Sequence, residues 1–176
     1  MRKRIGFFVL ILLIVFGIVI FDQVTKKYAR EYLKGHGLVR VVDTLVVLKY
    51  AENDGAFLGL GSGLVQPYKT LFLILFPVVV ITGAVIYLFV GKELSVGRAI
   101  CLSSIIGGGI SNILDRIINN GYVTDFLNFG IGRFRTGILN FADMFITFGA
   151  IFLALSIYLS DTHVSRERDG GREEKN

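Results

Sequence analysis

The chain has one cysteine, two histidines and two prolines among 176 residues. A single cysteine excludes an intrachain disulfide, so any extracytoplasmic part must be held without one. Cys101 lies in an apolar run, where a thiol stays protonated and makes a poor nucleophile. His36 and His163 are far apart and show no HExxH or other zinc-ligand spacing, so they read as loop and tail residues and no metal site is expected. No GxGxxG or GKT context surrounds the glycines, so neither a nucleotide nor another cofactor is implied. Charge is missing over long windows, while 53% of the residues are hydrophobic and mean hydropathy is +0.63. A soluble domain of this length would not be so apolar, and the pattern marks an integral membrane protein with several spans. The formal charge of +5 could suggest nucleic acid. Its basic residues instead flank the apolar runs, where they meet lipid headgroups and set topology, and no basic helix or stacking module is present.

Four apolar segments can cross a bilayer, at about residues 5–25, 67–90, 99–118 and 139–159. The first follows Arg2, Lys3 and Arg4 directly. No small-x-small cleavage site follows its apolar run, so it reads as a retained span whose helix continues to about Tyr32. Asp22, Thr25 and Lys26 share one face of that helix, and the spacing favours an ordinary i,i+4 ion pair on an exposed surface. Between the first two spans, valine-rich Leu38–Tyr50 predicts a short strand or hairpin, and Glu52–Gly55 a turn. The loop from Ala56 to Gly63 is rich in glycine yet apolar, which suits either a segment closing over a groove or a loop packed on helix ends. Pro67 suits a first helical position, and Pro77 predicts a kink within the second span.

In the third span Gly108, Asn112, Asp115 and Arg116 fall on one side, with Gly107–Gly109 allowing close backbone approach. Asp115 and Arg116 can neutralise each other or nearby partners. Tyr122–Leu127 alternates like an extended segment and would hold Asp125 on a stiff element at the membrane edge. Asn140, Asp143 and Thr147 share a face of the fourth helix, with Asp143 in its first turns, where the helix dipole favours an anion. The fold class is therefore an all-α membrane protein of four transmembrane helices with a small extracytoplasmic β-rich loop region. Residues 1–160 form one domain, and 161–176 a charged cytoplasmic tail of disordered composition. Arg2–Arg4 place both termini in the cytoplasm, since the first helix usually dominates orientation.

Asp22, Asn53, Arg116, Asp125, Asn140 and Asp143, from five separate stretches, then meet at one depth. Polar groups at membrane depth are expensive and mark function. Two carboxylates held close cannot both ionise cheaply, so they share a proton, one serving as base and the other as acid. That pairing supports peptide hydrolysis without a metal or covalent nucleophile. Spacing alone leaves two other readings open: a proton-coupled transporter using Asp115, Asp125 and Asp143 as a relay, or an assembly protein whose acids lock helices together. Against the relay, the carboxylates gather near one face and no repeat relates the halves.

Five motifs add to this: Asp22-Gln23-Val24-Thr25-Lys26, Asn53-Asp54-Gly55-Ala56-Phe57, Gly107 to Arg116 (GGGISNILDR), Val123-Thr124-Asp125-Phe126 and Asn140-Phe141-Ala142-Asp143. Together they resemble the lipoprotein signal peptidases (signal peptidase II) over nearly the whole chain. One departure falls at Gly55-Ala56-Phe57, where members commonly have a second alanine before the phenylalanine. The GxGD signature of presenilin-type proteases is absent. The resemblance implies an inner-membrane aspartic protease, with a small extracytoplasmic sheet and an amphipathic lid. Its substrates would be diacylglyceryl-modified prolipoproteins in a phospholipid bilayer, cut on the amino side of the lipidated cysteine, and globomycin-type cyclic peptides would occupy the same groove. It implies Asp125 and Asp143 as the catalytic pair, Asn53, Gly55, Gly108, Asn112, Arg116 and Asn140 as residues that line or order the site, and Asp22, Lys26 and Asp115 as supports.

Overall fold

The computed structural model describes residues 2–56, 59–90 and 94–173, with side chains described from residue 5 to residue 160. Phe57 of the second motif, the charged connection 91–93, the side chains of Arg2–Arg4 and of the charged tail, and the last three residues lie outside what is described. Four helices are long and apolar enough to cross a membrane. They are α1 (Arg2–Tyr32), α2 (Tyr68–Val90), α3 (Val96–Ile118) and α4 (Phe141–Glu173). The strands β1 (Val39–Val42), β2 (Val46–Asn53), β3 (Val123–Ile131) and β4 (Phe134–Arg135) form an antiparallel sheet in the order β1-β2-β3-β4.

Two helices differ from their sequence reading. In α2, a π-helical turn at Leu71–Leu75 precedes Pro77. Proline has no N–H to offer the residue four before it, and the helix widens to π spacing just ahead of it. The backbone of α4 stays helical to Glu173, into the segment whose composition suggested disorder. Extending an existing helix adds a hydrogen bond per residue without a new nucleus.

The packing differs from a soluble protein's in what faces outward and in how many polar groups are buried. Large apolar side chains such as Leu13 (66% exposed) and Phe16 (63%) face outward, where lipid would cover them. The buried set includes Asp22, Lys26, Asn112, Asp115, Arg116, Asp125, Asn140 and Asp143. Helix α3 is the hub, because three successive glycines each admit a different neighbour. A Cβ on Gly107 would meet Ile18 of α1, one on Gly108 the Ala142 carbonyl of α4 at 2.6 Å, and one on Gly109 Ile81 of α2 at 2.7 Å. Steps of about 100° per residue turn one GGG run toward three helices. Between the bundle and the sheet, Ala29 of α1 and Leu33 in the turn just after it pack on Phe126, Leu127 and Leu139. This contact seats β3 across the end of the bundle.

Candidate active site

Strand β3 delivers Asp125. Its neighbour Thr124 donates its backbone N–H to Asp115 Oδ2 of α3 at 2.9 Å. Side chains alternate along a strand, so anchoring Thr124 toward α3 fixes which way Asp125 faces. Asp125 Oδ1 accepts from Asn140 Nδ2 at 2.6 Å, and its Oδ2 from Asn53 Nδ2 at 2.9 Å. Asn53 ends β2 opposite Val123, and its own Oδ1 accepts the Gly55 N–H at 2.9 Å. Its amide is therefore oriented before it reaches the carboxylate.

Asp143 is positioned by the start of α4. The Asp143 N–H donates to Asn140 Oδ1 at 2.9 Å, and the Asn140 N–H donates back to Asp143 Oδ2 at 3.3 Å. This is a reciprocal capping box, with Asn140 at the cap and Asp143 three residues on. Asn112 Nδ2 completes the shell at 2.9 Å from Asp143 Oδ1. Asn140 thus touches both carboxylates, and both line one cavity of about 140 Å³ with Asn53, Asn112 and Arg116 on its polar side. Phe72, Leu73 and Pro77 of α2 make part of its apolar wall. The ionisation of Asp125 is pushed up from 3.8 to about 7, first by burial and then by the charge of Asp143, against the hydrogen bonds from Asn53 and Asn140.

Arg116 faces the same cavity. It donates from Nη2 to the Gly55 carbonyl at 2.6 Å and from Nη1 to the Asn112 carbonyl at 3.2 Å. Among the described residues, Arg116 Nε is one of two buried side-chain polar atoms without a hydrogen-bond partner. Gly55 must be small, because a Cβ there would lie 2.6 Å from the Gly59 backbone.

Behind the cavity lies a second polar cluster. Asp22 Oδ2 pairs with Lys26 Nζ at 2.7 Å and accepts from Ser111 Oγ at 2.7 Å; Asp22 Oδ1 accepts the Ala142 N–H at 2.8 Å. One carboxylate thereby ties α1 to α3 and to the first turn of α4. Lys26 also lies 3.3 Å from Asp115 Oδ2, and Arg30 3.6 Å from Asp115 Oδ1. Two acids and two bases balance the cluster, as buried ions require. The exposed pair expected at Asp22 and Lys26 is corrected here: both side chains are 0% exposed, because α3 and α4 close over that face of α1. Lys34 with Glu52 at 2.7 Å is a surface pair, and such contacts contribute little. Asp115 and Arg116 do not pair with each other either; adjacent helical residues point about 100° apart, so Asp115 meets α1 and Arg116 the cavity.

Of the residues selected from sequence, Asn53, Asn112, Arg116, Asp125 and Asp143 line the cavity, and Asn140 bridges its two acids, from its side-chain amide to Asp125 and its backbone N–H to Asp143. Gly55 supplies backbone groups, whereas Gly108 serves the α3–α4 crossing. Asp22, Lys26 and Asp115 belong to the cluster behind. Sequence reasoning missed roles for Gln23, which donates to Ser111 Oγ at 2.9 Å, for Ser111, and for Arg30, which donates to Thr124 Oγ1 at 2.8 Å. The available signal was spacing: Asp22, Lys26 and Arg30 step by four along α1, as Gly107, Ser111 and Asp115 do along α3. Among the described residues, no group of three or more His, Cys, Asp or Glu is arranged to hold a metal.

Four spans, a small sheet across one end and an acid-lined cavity beneath it define a multi-pass membrane enzyme. The family model of signal peptidase (SPase) II matches residues 14–159. The chain is 35% identical over 158 residues to the lipoprotein signal peptidase of Clostridium tetani, covering 89% of this chain and 97% of that one. It is 38% identical over 143 residues to the lipoprotein signal peptidase of Caldanaerobacter subterraneus subsp. tengcongensis, covering 81% and 91%. A solved bacterial membrane enzyme, determined by the in meso method at 2.3 Å, superposes with a TM-score of 0.72 at 25% identity, over 86% of this chain and 88% of that one. The chain belongs to the signal peptidase II family, proteases of the aspartic class.

Proposed function

We propose that the protein removes signal peptides from diacylglyceryl-modified prolipoproteins, cutting on the amino side of the lipidated cysteine with water activated by Asp125 and Asp143. The observation that carries this reading is the single cavity onto which both carboxylates open, with the Asn140 side-chain amide donating to Asp125 and its backbone N–H to Asp143. Two acids so placed hold one proton between them. The ionised member takes a proton from water as the water oxygen bonds to the scissile carbonyl carbon. The protonated member gives its proton to the carbonyl oxygen. As the tetrahedral diol collapses, that oxygen returns its proton, the first acid protonates the leaving nitrogen, and the C–N bond breaks. Arg116 lines the same cavity, and its guanidinium suits a peptide carbonyl.

The apolar faces of the helices suit a substrate anchored by acyl chains, and phospholipid would surround them. In the bacterial inner membrane, with both termini cytoplasmic, the cavity would open near the outer leaflet. That is where a lipidated cysteine following a spanning signal helix arrives. A globomycin-type cyclic peptide would compete for the same cavity.

The test is incubation of the detergent-purified protein with a diacylglyceryl-modified prolipoprotein and an unlipidated control, followed by mass. Loss of the signal peptide from the lipidated form alone is expected. Asp125→Asn and Asp143→Asn should each abolish it while leaving the helical content intact. Substantial turnover by either variant would remove that carboxylate from the mechanism.

A further inference from the structure

We propose that Lys26 is a positioning residue for the acid pair: its buried ammonium turns the Asn112 amide so that the NH2 faces Asp143, and its charge keeps Asp143 as the water-activating member. This rests on the protease reading above and adds to it the assignment of the two acids.

An ammonium has three donors and no acceptor. The three oxygens around Lys26 Nζ are Asp22 Oδ2 at 2.7 Å, Asn112 Oδ1 at 2.8 Å and Asp115 Oδ2 at 3.3 Å. The first two distances are those of strong charge-assisted hydrogen bonds. With oxygens on all three sides Nζ acts as a donor throughout, and a donor faces only the oxygen end of a neighbouring amide. Asn140 Nδ2 also donates to that oxygen, at 3.2 Å. Asn112 therefore has one orientation, and its NH2 lies 2.9 Å from Asp143 Oδ1. The second Asp143 oxygen accepts the Asn140 N–H. Both oxygens of Asp143 thus face donors whose direction other contacts fix.

Asp125 also accepts two amide donors, so hydrogen bonds alone do not separate the pair. Charge and helix position do. Asp143 occupies the first turn of α4, where unpaired N–H groups favour an anion. Asp125 lies on a strand, which has no comparable dipole. The charged groups around Asp143 are Lys26 and Asp22 from α1, Asp115 and Arg116 from α3, and Asp125 from β3; α2 offers the cavity only Phe72, Leu73 and Pro77. Lys26 reaches Asp143 through a single amide. In the resting enzyme Asp143 is the carboxylate that accepts the water proton, and Asp125 carries the proton that goes to the substrate carbonyl.

The experiment follows kcat and KM against pH for the full chain in detergent with a lipidated prolipoprotein, comparing unaltered protein, Lys26→Gln, Lys26→Met and Asp115→Asn. Glutamine keeps a donor for Asn112 and removes the charge. Its acid limb should move to higher pH by about one unit, the lower end of what one opposite charge does to a nearby carboxylate, with KM little changed. Methionine also frees the amide to turn, so kcat should fall further than in the glutamine variant. Asp115→Asn removes an anion and should move the limb to lower pH. If neither Lys26 variant folds, Asp115→Asn decides alone. Acid limbs that stay in place, or that move together, overturn the inference while cleavage by the unaltered protein stands. Failure of the unaltered protein to cut a lipidated substrate overturns the protease reading and this inference with it.

Discussion

Asn140 offers the sharpest separation of fold from chemistry. Its side chain is 0% exposed and makes three hydrogen bonds: it accepts from the Asp143 N–H at 2.9 Å and donates to Asp125 at 2.6 Å and to Asn112 at 3.2 Å. Asn140→Ala removes all three. Losing the cap costs about 1 kcal/mol, and losing a hydrogen bond to a carboxylate about 1.5–3 kcal/mol. The sum, about 3 kcal/mol, corresponds to a fall of about 6–12 °C in Tm at this chain length. Asn140→Ser keeps an oxygen for the Asp143 N–H but has no NH2 to reach Asp125. It should keep about 1 kcal/mol more stability than the alanine variant. Its kcat should still fall by about 100-fold, the scale set by misplacing a reacting group by about 1 Å. Thermal unfolding in detergent and cleavage of a lipidated prolipoprotein read the two quantities separately. A serine variant that turns over substrate at the wild-type rate would refute the role given to the bridge between the acids.

Three further outcomes are expected. Gly108→Ala places a Cβ 2.6 Å from the Ala142 carbonyl and 2.8 Å from Ile146, whereas Gly83→Ala meets nothing within 4 Å. The first should lower stability by about 1–3 kcal/mol and the second should not, as unfolding of the two variants in detergent would tell. Asp125 ionises near pH 7 in the fold, against an ordinary value of 3.8, so the fold binds the extra proton between those values. The stability this proton contributes is full below about 3.8 and lost as pH rises through about 7; Tm should decline over that window, and the decline should vanish in Asp125→Asn. Under the proposed mechanism the same proton goes to the substrate carbonyl, so kcat/KM should fall above about pH 7, and a rate still rising at pH 9 would count against Asp125 as the acid.

Sequence alone determined the membrane class, the four spans and the residues worth suspecting. These are one-dimensional properties: a span is a long run without charge, and a polar residue at such a run's end stands out against it. The spans at 5–32, 68–90, 96–118 and 141–160 fall within a few residues of those expected, apart from the first, whose helix was expected to reach Tyr32. The alternation around Asp125 likewise announced a strand. Family membership was legible as well, because the five motifs are specific in combination and are local in the chain.

What only the tertiary structure decided is which partner each polar group meets. Asp22 and Lys26 have the spacing of an ordinary surface pair, and that spacing is the same whether water or two helices cover it. Burial comes from α3 and α4, 89 and 120 residues further along the chain at Ser111 and Ala142. Asp115 and Arg116 are adjacent in sequence yet serve different neighbourhoods, because each step along a helix turns the side chain by about 100°. The GGG run signalled close approach without naming the neighbours, and three-dimensional packing assigned one glycine to each of α1, α4 and α2. Pattern marks where polar atoms cannot be left alone, and the fold decides what satisfies them, since hydrogen bonds act over about 3 Å in space regardless of separation along the chain.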